Sequence, residues 1–136
     1  MFGDTGLVAQ TRLIEAVLDS HQDIDFIAGT AVSAEAAVLL LQKRNLERQI
    51  KVIAYYFGPG IYRGIKRDAI LAAPSDSQAV LARISVDQAV RALEKQKLIP
   101  HLAVSIKMVD LKSLPKFDLN SSIAPVGFRP IFSVVP

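Results

Sequence analysis

The chain contains no cysteine and only two histidines, His21 and His101. Without cysteine, a disulfide framework, thiolate catalysis and a zinc-ribbon site are all excluded. The two histidines are far apart, and neither has a carboxylate beside it at the spacing of metal ligands. No serine lies in the strand–turn–helix setting of a nucleophile elbow. We therefore expect a protein without catalytic activity, bound metal or cofactor.

Long hydrophobic runs are also missing. No apolar stretch approaches the ~20 residues of a membrane-spanning helix, and residues 1–4 lack the charged-then-apolar pattern of an export signal. The 136 residues are 51% hydrophobic and 21% charged, which favours one compact domain with a real core. The net charge of +3 comes from scattered lysines and arginines, which indicates a solvated surface and no nucleic-acid partner.

Hydrophobic periodicity predicts strands that alternate with helices. The pattern predicts helices over residues 5–20, 34–44 (capped by Ser33), 61–67 and from 77 onward, and strands over 24–29, 51–57, 69–73 and 102–108. On the helix that follows residue 77, a buried stripe is expected at Val80, Leu81, Ile84, Val90 and Leu93. This order predicts an α/β fold with a partial, doubly wound parallel sheet and helices on both faces. Residues 1–111 would form this lobe, and residues 112–136 a proline-rich extension that packs back on it.

Candidate ligand contacts follow the predicted parallel strands, because the carboxyl ends of such strands converge on one crevice. They are Thr30, Ala31, Tyr55, Tyr56 and Asp76. Tyrosine rings attract a quaternary-ammonium-like group by about 0.5–2 kcal/mol each. The Asp76 carboxylate would add a Coulomb attraction, and a tyrosine hydroxyl could donate to a ligand oxygen. Alternatively, one of the two tyrosines packs in the core, since consecutive strand residues point to opposite faces.

A glycine loop suggests a competing function. Gly58-Pro59-Gly60 with Gly64 lies between a strand and a helix and is similar to a degenerate nucleotide fingerprint. However, Pro59 has no N–H to offer a phosphate, and the last glycine is displaced by one position from the dinucleotide-binding pattern. No Lys-Ser or Lys-Thr pair follows, as a phosphate-binding loop would require. We expect a tight strand-to-helix turn that needs glycine dihedral angles.

Two segments resemble the C-terminal lobe of type I periplasmic binding proteins: HQDIDFIAGTAVSAEAAV, from residue 21, and KVIAYYFGPGIYRGIKRDAILAAPSDSQAVLARISVDQAV, from residue 51. The segments FGDTG and SSIAPVGFRPIFSV narrow the resemblance to a branch that senses trimethylamine N-oxide for a membrane sensor histidine kinase. The resemblance implies a periplasmic location. Sugar-binding relatives place an Asn-Asp pair where this chain has Ala31-Val32, and an Asp where it has Tyr56. A sugar-type transport protein and the effector domain of a LacI-type regulator remain the alternatives.

The same resemblance implies that the chain is a fragment, because complete relatives have a second, N-terminal lobe. In relatives, the strand that matches residues 24–29 has neighbours on both sides, and one of them has no counterpart here. We therefore expect an open strand edge, which would associate with the missing lobe or with a second copy.

Overall fold

The computed structural model describes residues 5–131. Four helices and four strands alternate along the chain: α1 (Leu7–Ser20), β1 (Phe26–Gly29), α2 (Ala31–Arg44), β2 (Lys51–Ala54), α3 (Pro59–Lys66), β3 (Ala72–Ser75), α4 (Gln78–Leu93) and β4 (Lys107–Asp110). Two short 3₁₀ turns follow, at Leu114–Lys116 and Leu119–Ser121. Outside the described residues lie the first three residues of the FGDTG segment (2–4) and the last three of the SSIAPVGFRPIFSV segment (132–134). The end of the predicted extension, residues 132–136, also lies outside them.

The sheet has the order β1-β2-β3-β4. β1, β2 and β3 run parallel, and β4 is antiparallel to β3. Helices connect the parallel strands, as the alternating pattern predicts. The α/β class and the parallel sheet are therefore confirmed. None of the helices among residues 5–131 has the length and hydropathy that crossing a membrane requires.

The core lies on one face of the sheet. Along β2, Val52 and Ala54 are buried, and they pack with Leu41 of α2 and with Ile61 and Ile65 of α3. Small residues of α2 let this helix approach the strands closely, since Ala34, Ala36 and Ala37 are fully buried. The opposite face of the sheet exposes Phe26, Ala28, Tyr55 and Met108. The sheet thus has one covered face and one largely open face, and the prediction of helices on both faces is not confirmed for the described residues.

Helix α2 begins three residues earlier than predicted. Its N-cap is Thr30, and Ser33 lies in the first turn of the helix. Its C-cap is Asn45, in the left-handed conformation that short polar residues tolerate. A cap at Thr30 moves one predicted ligand residue, Ala31, into the first helical position.

The third strand is shifted relative to the prediction. Ala69 and Ile70 donate their N–H groups to the Gly64 carbonyl, so they close the end of α3 and do not enter the sheet. Pro74 lies inside β3. The parallel pairing of β3 with β2 is at Ala72, and Pro74 lies opposite Met108 in the antiparallel ladder with β4.

Two further predictions were wrong in the second half of the chain. β4 covers only Lys107–Asp110, and Leu102 and Ile106 precede it with 43% and 72% of their surface exposed. Helix α4 has no buried residue, and Leu93 is 84% exposed. The described residues cover the predicted stripe only in part: Val80, Leu81 and Ile84 are half-buried, whereas Val90 and Leu93 are exposed. The main contact of α4 is with the second 3₁₀ turn.

Residues after β4 return to the core. Phe117 packs edge-to-face against the buried Phe57, with ring centroids 5.1 Å apart. Leu114, Leu119 and Ile123 also lie against the core. The division into a lobe and an extension at residue 112 stays a prediction.

Candidate ligand-binding edge

The carboxyl ends of β1, β2 and β3 form one edge of the sheet, which we call the strand-end edge. Thr30 and Ala31 follow β1, Tyr55 and Tyr56 follow β2, and Asp76 follows β3. The strands are direct neighbours, with Gly29 opposite Ala54 and Ile53 opposite Ala72. The five predicted residues therefore project from adjacent positions of the same edge.

Both tyrosines are available to a ligand. Tyr55 is 53% exposed and Tyr56 is 58% exposed. The Tyr55 N–H donates to the Gly29 carbonyl at 2.7 Å, which extends the β1–β2 ladder by one bond and fixes the backbone there. Phe57 is buried instead and packs on Phe117. The alternative in which one of the tyrosines is a core residue does not apply.

The Thr30 hydroxyl is committed to the helix that it caps. Its Oγ1 accepts from the Ser33 N–H at 3.4 Å and lies 2.9 Å from Ser33 Oγ. Ser33 Oγ in turn donates to Gln10 Oε1 at 2.7 Å, which ties the start of α2 to α1. Thr30 and Ala31 therefore offer a ligand their apolar atoms, and no free hydroxyl.

Asp76 carries an unsatisfied acceptor. Its Oδ1 is buried and has no hydrogen-bond donor among the described residues. A buried polar atom without a partner costs about 1–3 kcal/mol, and in native proteins it points to a bound group or water. Such an oxygen would attract a cationic ligand, since carboxylate and cation attract most strongly where water is excluded.

A second unsatisfied acceptor belongs to Gln78, the first residue of α4. Its Nε2 donates to the Phe57 carbonyl at 2.9 Å, which joins the start of α4 to the loop that follows β2. Its Oε1 is buried and finds no donor within residues 5–131. The sequence gives no signal for this role, because a glutamine at a helix start is usually a solvated residue.

A serine pair supports the strand-end edge from the C-terminal side. Ser75 is fully buried, and its Oγ lies 2.7 Å from Ser122 Oγ. Ser75 Oγ also accepts from the Ser77 N–H at 3.3 Å. Ser77 itself has a left-handed backbone with φ 56°, so the chain turns sharply right after Asp76. Ser122 belongs to the SSIAPVGFRPIFSV segment, but no local sequence pattern pairs it with Ser75.

The glycine loop does not form a phosphate site. A side chain at Gly60 would overlap the Glu35 carboxylate, so a negative charge lies where a phosphate would approach the start of α3. Gly58 is extended, with φ −166°, a conformation open to any residue. The prediction that the turn needs glycine dihedral angles was therefore wrong. Gly60 and Gly64 provide space, since an added Cβ would meet Glu35 and Ile70 respectively.

Among residues 5–131, no three metal-ligating side chains group together. The strand-end edge thus presents exposed aromatic side chains and one carboxylate. It is built on parallel βαβ units, and the sheet ends in the antiparallel strand β4. This fold is that of the type I periplasmic binding proteins, which bind solutes and are not enzymes. The predicted absence of catalysis agrees with that class.

The chain is homologous to the periplasmic protein TorT of Escherichia coli K12. The two are 33% identical over 130 residues, which make up 96% of this chain and 37% of TorT. TorT in its complex with the TorS sensor domain, solved in the presence of trimethylamine N-oxide (TMAO), superposes with a TM-score of 0.88 at 32% identity. That match covers 98% of this chain and 45% of the TorT chain. The TorT-like resemblance is confirmed, and TorT's periplasmic location agrees with the predicted one.

An ABC transporter solute binding protein from Bradyrhizobium sp. BTAi1, with bound bis-tris, is 41% identical with a TM-score of 0.86. The match covers 98% of this chain and 40% of that protein. This chain thus spans less than half the length of these relatives. No protein-family model matches the sequence.

Proposed function

We propose that the strand-end edge binds a small methylated amine, with TMAO as the first candidate. The observation that carries the proposal is the exposure of Tyr55 and Tyr56 on the same edge as the unsatisfied Asp76 carboxylate oxygen. In TMAO, a positively charged nitrogen bears three methyl groups and one acceptor oxygen. Tyrosine faces suit the methylated cation, a tyrosine hydroxyl suits the oxygen, and the carboxylate suits the charge.

Two relatives above 30% identity support this ligand class. The TorS–TorT complex was solved in the presence of TMAO, and the Bradyrhizobium protein contains bis-tris. Both molecules have a nitrogen that carries three carbon substituents, which are methyl groups in TMAO and hydroxylated chains in bis-tris. The sugar alternative has weaker support. A structural neighbour with bound D-allose is only 17% identical, which shows the fold alone. Ala31, Val32 and Tyr56 also lack the carboxylate and amide groups that grip sugar hydroxyls.

The signalling part of the proposal rests on homology. TorT forms a complex with the TorS sensor domain, both with TMAO and without ligand. We infer that a periplasmic protein containing this chain reports its ligand to a membrane sensor histidine kinase. The effector domain of a LacI-type regulator is disfavoured, since the relatives above 30% identity are periplasmic and solute-binding proteins.

Calorimetry tests the ligand proposal. Because this chain spans 37% of TorT, titrations use both the chain itself and a TorT chimera in which it replaces the matching residues. TMAO is compared with ribose as the sugar control. Tyr56→Ala should weaken TMAO binding about 2- to 30-fold, the equivalent of 0.5–2 kcal/mol for one ring. Phe128→Ala is the matched control, since Phe128 is also exposed, at 63%.

The test has clear adverse outcomes. Tyr62 lies on α3 and packs against the core, so Tyr62→Phe should leave the affinity unchanged. Equal losses of affinity for Tyr56→Ala and Phe128→Ala would contradict the site. Tighter binding of ribose than of TMAO would favour the sugar alternative.

A further inference from the structure

We infer that a network of serine hydroxyls fixes the Asp76 carboxylate and thereby sets the preference of the strand-end edge for a cationic ligand. The network consists of Ser75, Ser77, Ser121 and Ser122, and we call it the serine network. Ser75 is the last residue of β3 and Ser77 caps α4, so both neighbours of Asp76 belong to the network. The inference rests on the proposed function, because it concerns the same edge and the same class of ligand.

Each hydroxyl of the serine network has one proton, and the contacts determine where every proton goes. Ser121 Oγ donates to the Asp118 carbonyl at 2.6 Å, since a carbonyl can only accept. Ser122 Oγ lies 3.1 Å from Ser121 Oγ and must therefore donate to it. Ser75 Oγ lies 2.7 Å from Ser122 Oγ and donates in turn, while it accepts from the Ser77 N–H at 3.3 Å. The four hydrogen bonds thus run in one direction, from the Ser77 N–H to the Asp118 carbonyl.

Both ends of the serine network are fixed. Hydrogen bonds that share a direction polarise one another, and each strengthens its neighbours by about 10–30%. Ser75 is fully buried and Ser77 is 8% exposed, so water competes little for the bonds at that end. At the other end, Asp118 caps the second 3₁₀ turn, and Leu119 of this turn packs against the core. The network therefore connects the backbone beside Asp76 to an anchored part of the C-terminal segment.

The backbone at Ser77 needs this support. Its φ of 56° and ψ of 56° lie in the left-handed region, which is unfavourable for residues with a Cβ. The Ser77 carbonyl accepts from the Leu81 N–H at 3.0 Å, in the first turn of α4. Ser75 and α4 thus hold the two peptide groups of Ser77. Asp76 lies directly before this turn, so the direction of its side chain depends on the backbone that the network holds.

A small movement of the carboxylate changes the affinity for a cation. Without Ser122, the buried Ser75 hydroxyl loses its acceptor and must turn toward another group. If the Asp76 carboxylate moves from about 4 Å to about 5 Å from a cationic nitrogen, the affinity falls about fourfold at an effective dielectric constant of about 20. A neutral ligand of similar shape does not lose this attraction. Ser122 is therefore a positioning residue for the charge and does not itself contact the ligand.

NMR titrations of the TorT chimera with tetramethylammonium and tert-butanol test the inference. Both probes carry methyl groups on a tetrahedral centre of similar size, and only tetramethylammonium is charged. Ser122→Ala should lower the affinity for tetramethylammonium about fourfold and leave that for tert-butanol unchanged. Ser122→Thr keeps the hydroxyl and should restore the affinity. Ser85→Ala is the matched control, because the Ser85 hydroxyl donates to the Leu81 carbonyl within α4 and should affect neither probe.

Spectra recorded without ligand separate this inference from the proposed function. In Ser122→Ala, the Ser77 amide and the Asp76 carboxyl carbon should both shift, whereas Ser85→Ala should shift neither. Ser121→Ala breaks the network one bond further away and should give the same shifts at smaller size. Unchanged resonances would overturn the inference whether or not a ligand binds.

The titrations give two further adverse results. An equal loss of affinity for both probes in Ser122→Ala would indicate a general structural role and overturn the inference. Binding of TMAO without any binding of tetramethylammonium would also overturn it, because the carboxylate would then not face the ligand. Shifted resonances in a protein that does not bind TMAO would refute the proposed function and still support the positioning of Asp76 by Ser122.

Discussion

Replacing Gly64 by alanine should destabilise the protein, although glycine is a poor helix former. A Cβ at Gly64 would lie 2.5 Å from Ile70 Cδ1 and 2.8 Å from Ile70 Cγ1. Ile70 is only 2% exposed, so its side chain has little room to move. The backbone cannot retract either, because Ala69 and Ile70 both donate to the Gly64 carbonyl, at 2.9 and 3.2 Å.

Two opposing effects set the size of the change. Overpacking a core contact costs about 1–3 kcal/mol, and replacing glycine by alanine inside a helix gains about 1 kcal/mol. We expect a net loss of about 1 kcal/mol for Gly64→Ala, which lowers the melting temperature by about 4 °C in a domain of this size. Urea unfolding followed by circular dichroism measures it. All variants must be compared at one protein concentration, because self-association shifts apparent stability.

Gly60→Ala is the matched control in the same helix. Its Cβ would meet only the tip of Glu35, an exposed and flexible side chain that can rotate away. The stability of Gly60→Ala should therefore equal or exceed that of the unmodified chain. If Gly64→Ala were as stable as Gly60→Ala, the argument that Gly64 provides space for Ile70 would be wrong.

Two further predictions concern a helix cap and a carboxylate. Thr30→Ala should lower the free energy of unfolding by about 1 kcal/mol, because it removes the cap of α2. Thr30→Ser should retain most of this stability. Urea titrations measure both variants, and an equal loss in the two would contradict the capping role. Hydrogen bonds from the Ser113 N–H and hydroxyl lower the pKa of Asp110 below its ordinary value of 3.8. The stability from this interaction is complete above that value and is lost as the pH falls through the lowered pKa. Ser113→Ala should move the carboxyl pKa upward in an NMR titration, and an unchanged pKa would rule out the hydroxyl contribution.

The first half of the fold could be predicted because its signals are local. The apolar runs that contain β1 and β2 and the alanine-rich face of α2 follow strand and helix periodicity closely. The same periodicity gave the order of strands and helices that builds the strand-end edge, but not where each strand ends, since β2 ends at Ala54 and β3 at Ser75 instead of residues 57 and 73. Local patterns could not distinguish Thr30 from Ser33 as the cap of α2, because both are good capping residues three positions apart.

The second half depended on contacts that no local pattern contains. Ala69 and Ile70 resemble strand residues, yet two hydrogen bonds to Gly64 hold them at the end of α3. The α4 stripe has helical spacing, but full burial requires a surface opposite it, which the described residues provide only along the first half of the helix. The Gln78 bond to Phe57 and the Ser75 contact with Ser122 join positions 21 and 47 residues apart, so sequence analysis could not find them.

The contact between Ser75 and Ser122 also bears on the order in which the protein folds. Local elements form first, and a contact across 47 residues closes only after the chain between them has been ordered. During synthesis, the β1–α2–β2 unit can assemble before residue 122 has left the ribosome. The buried Ser75 hydroxyl gains its Ser122 partner only afterwards. The end of β3, which precedes Asp76, is therefore completed by a segment that is made 47 residues later.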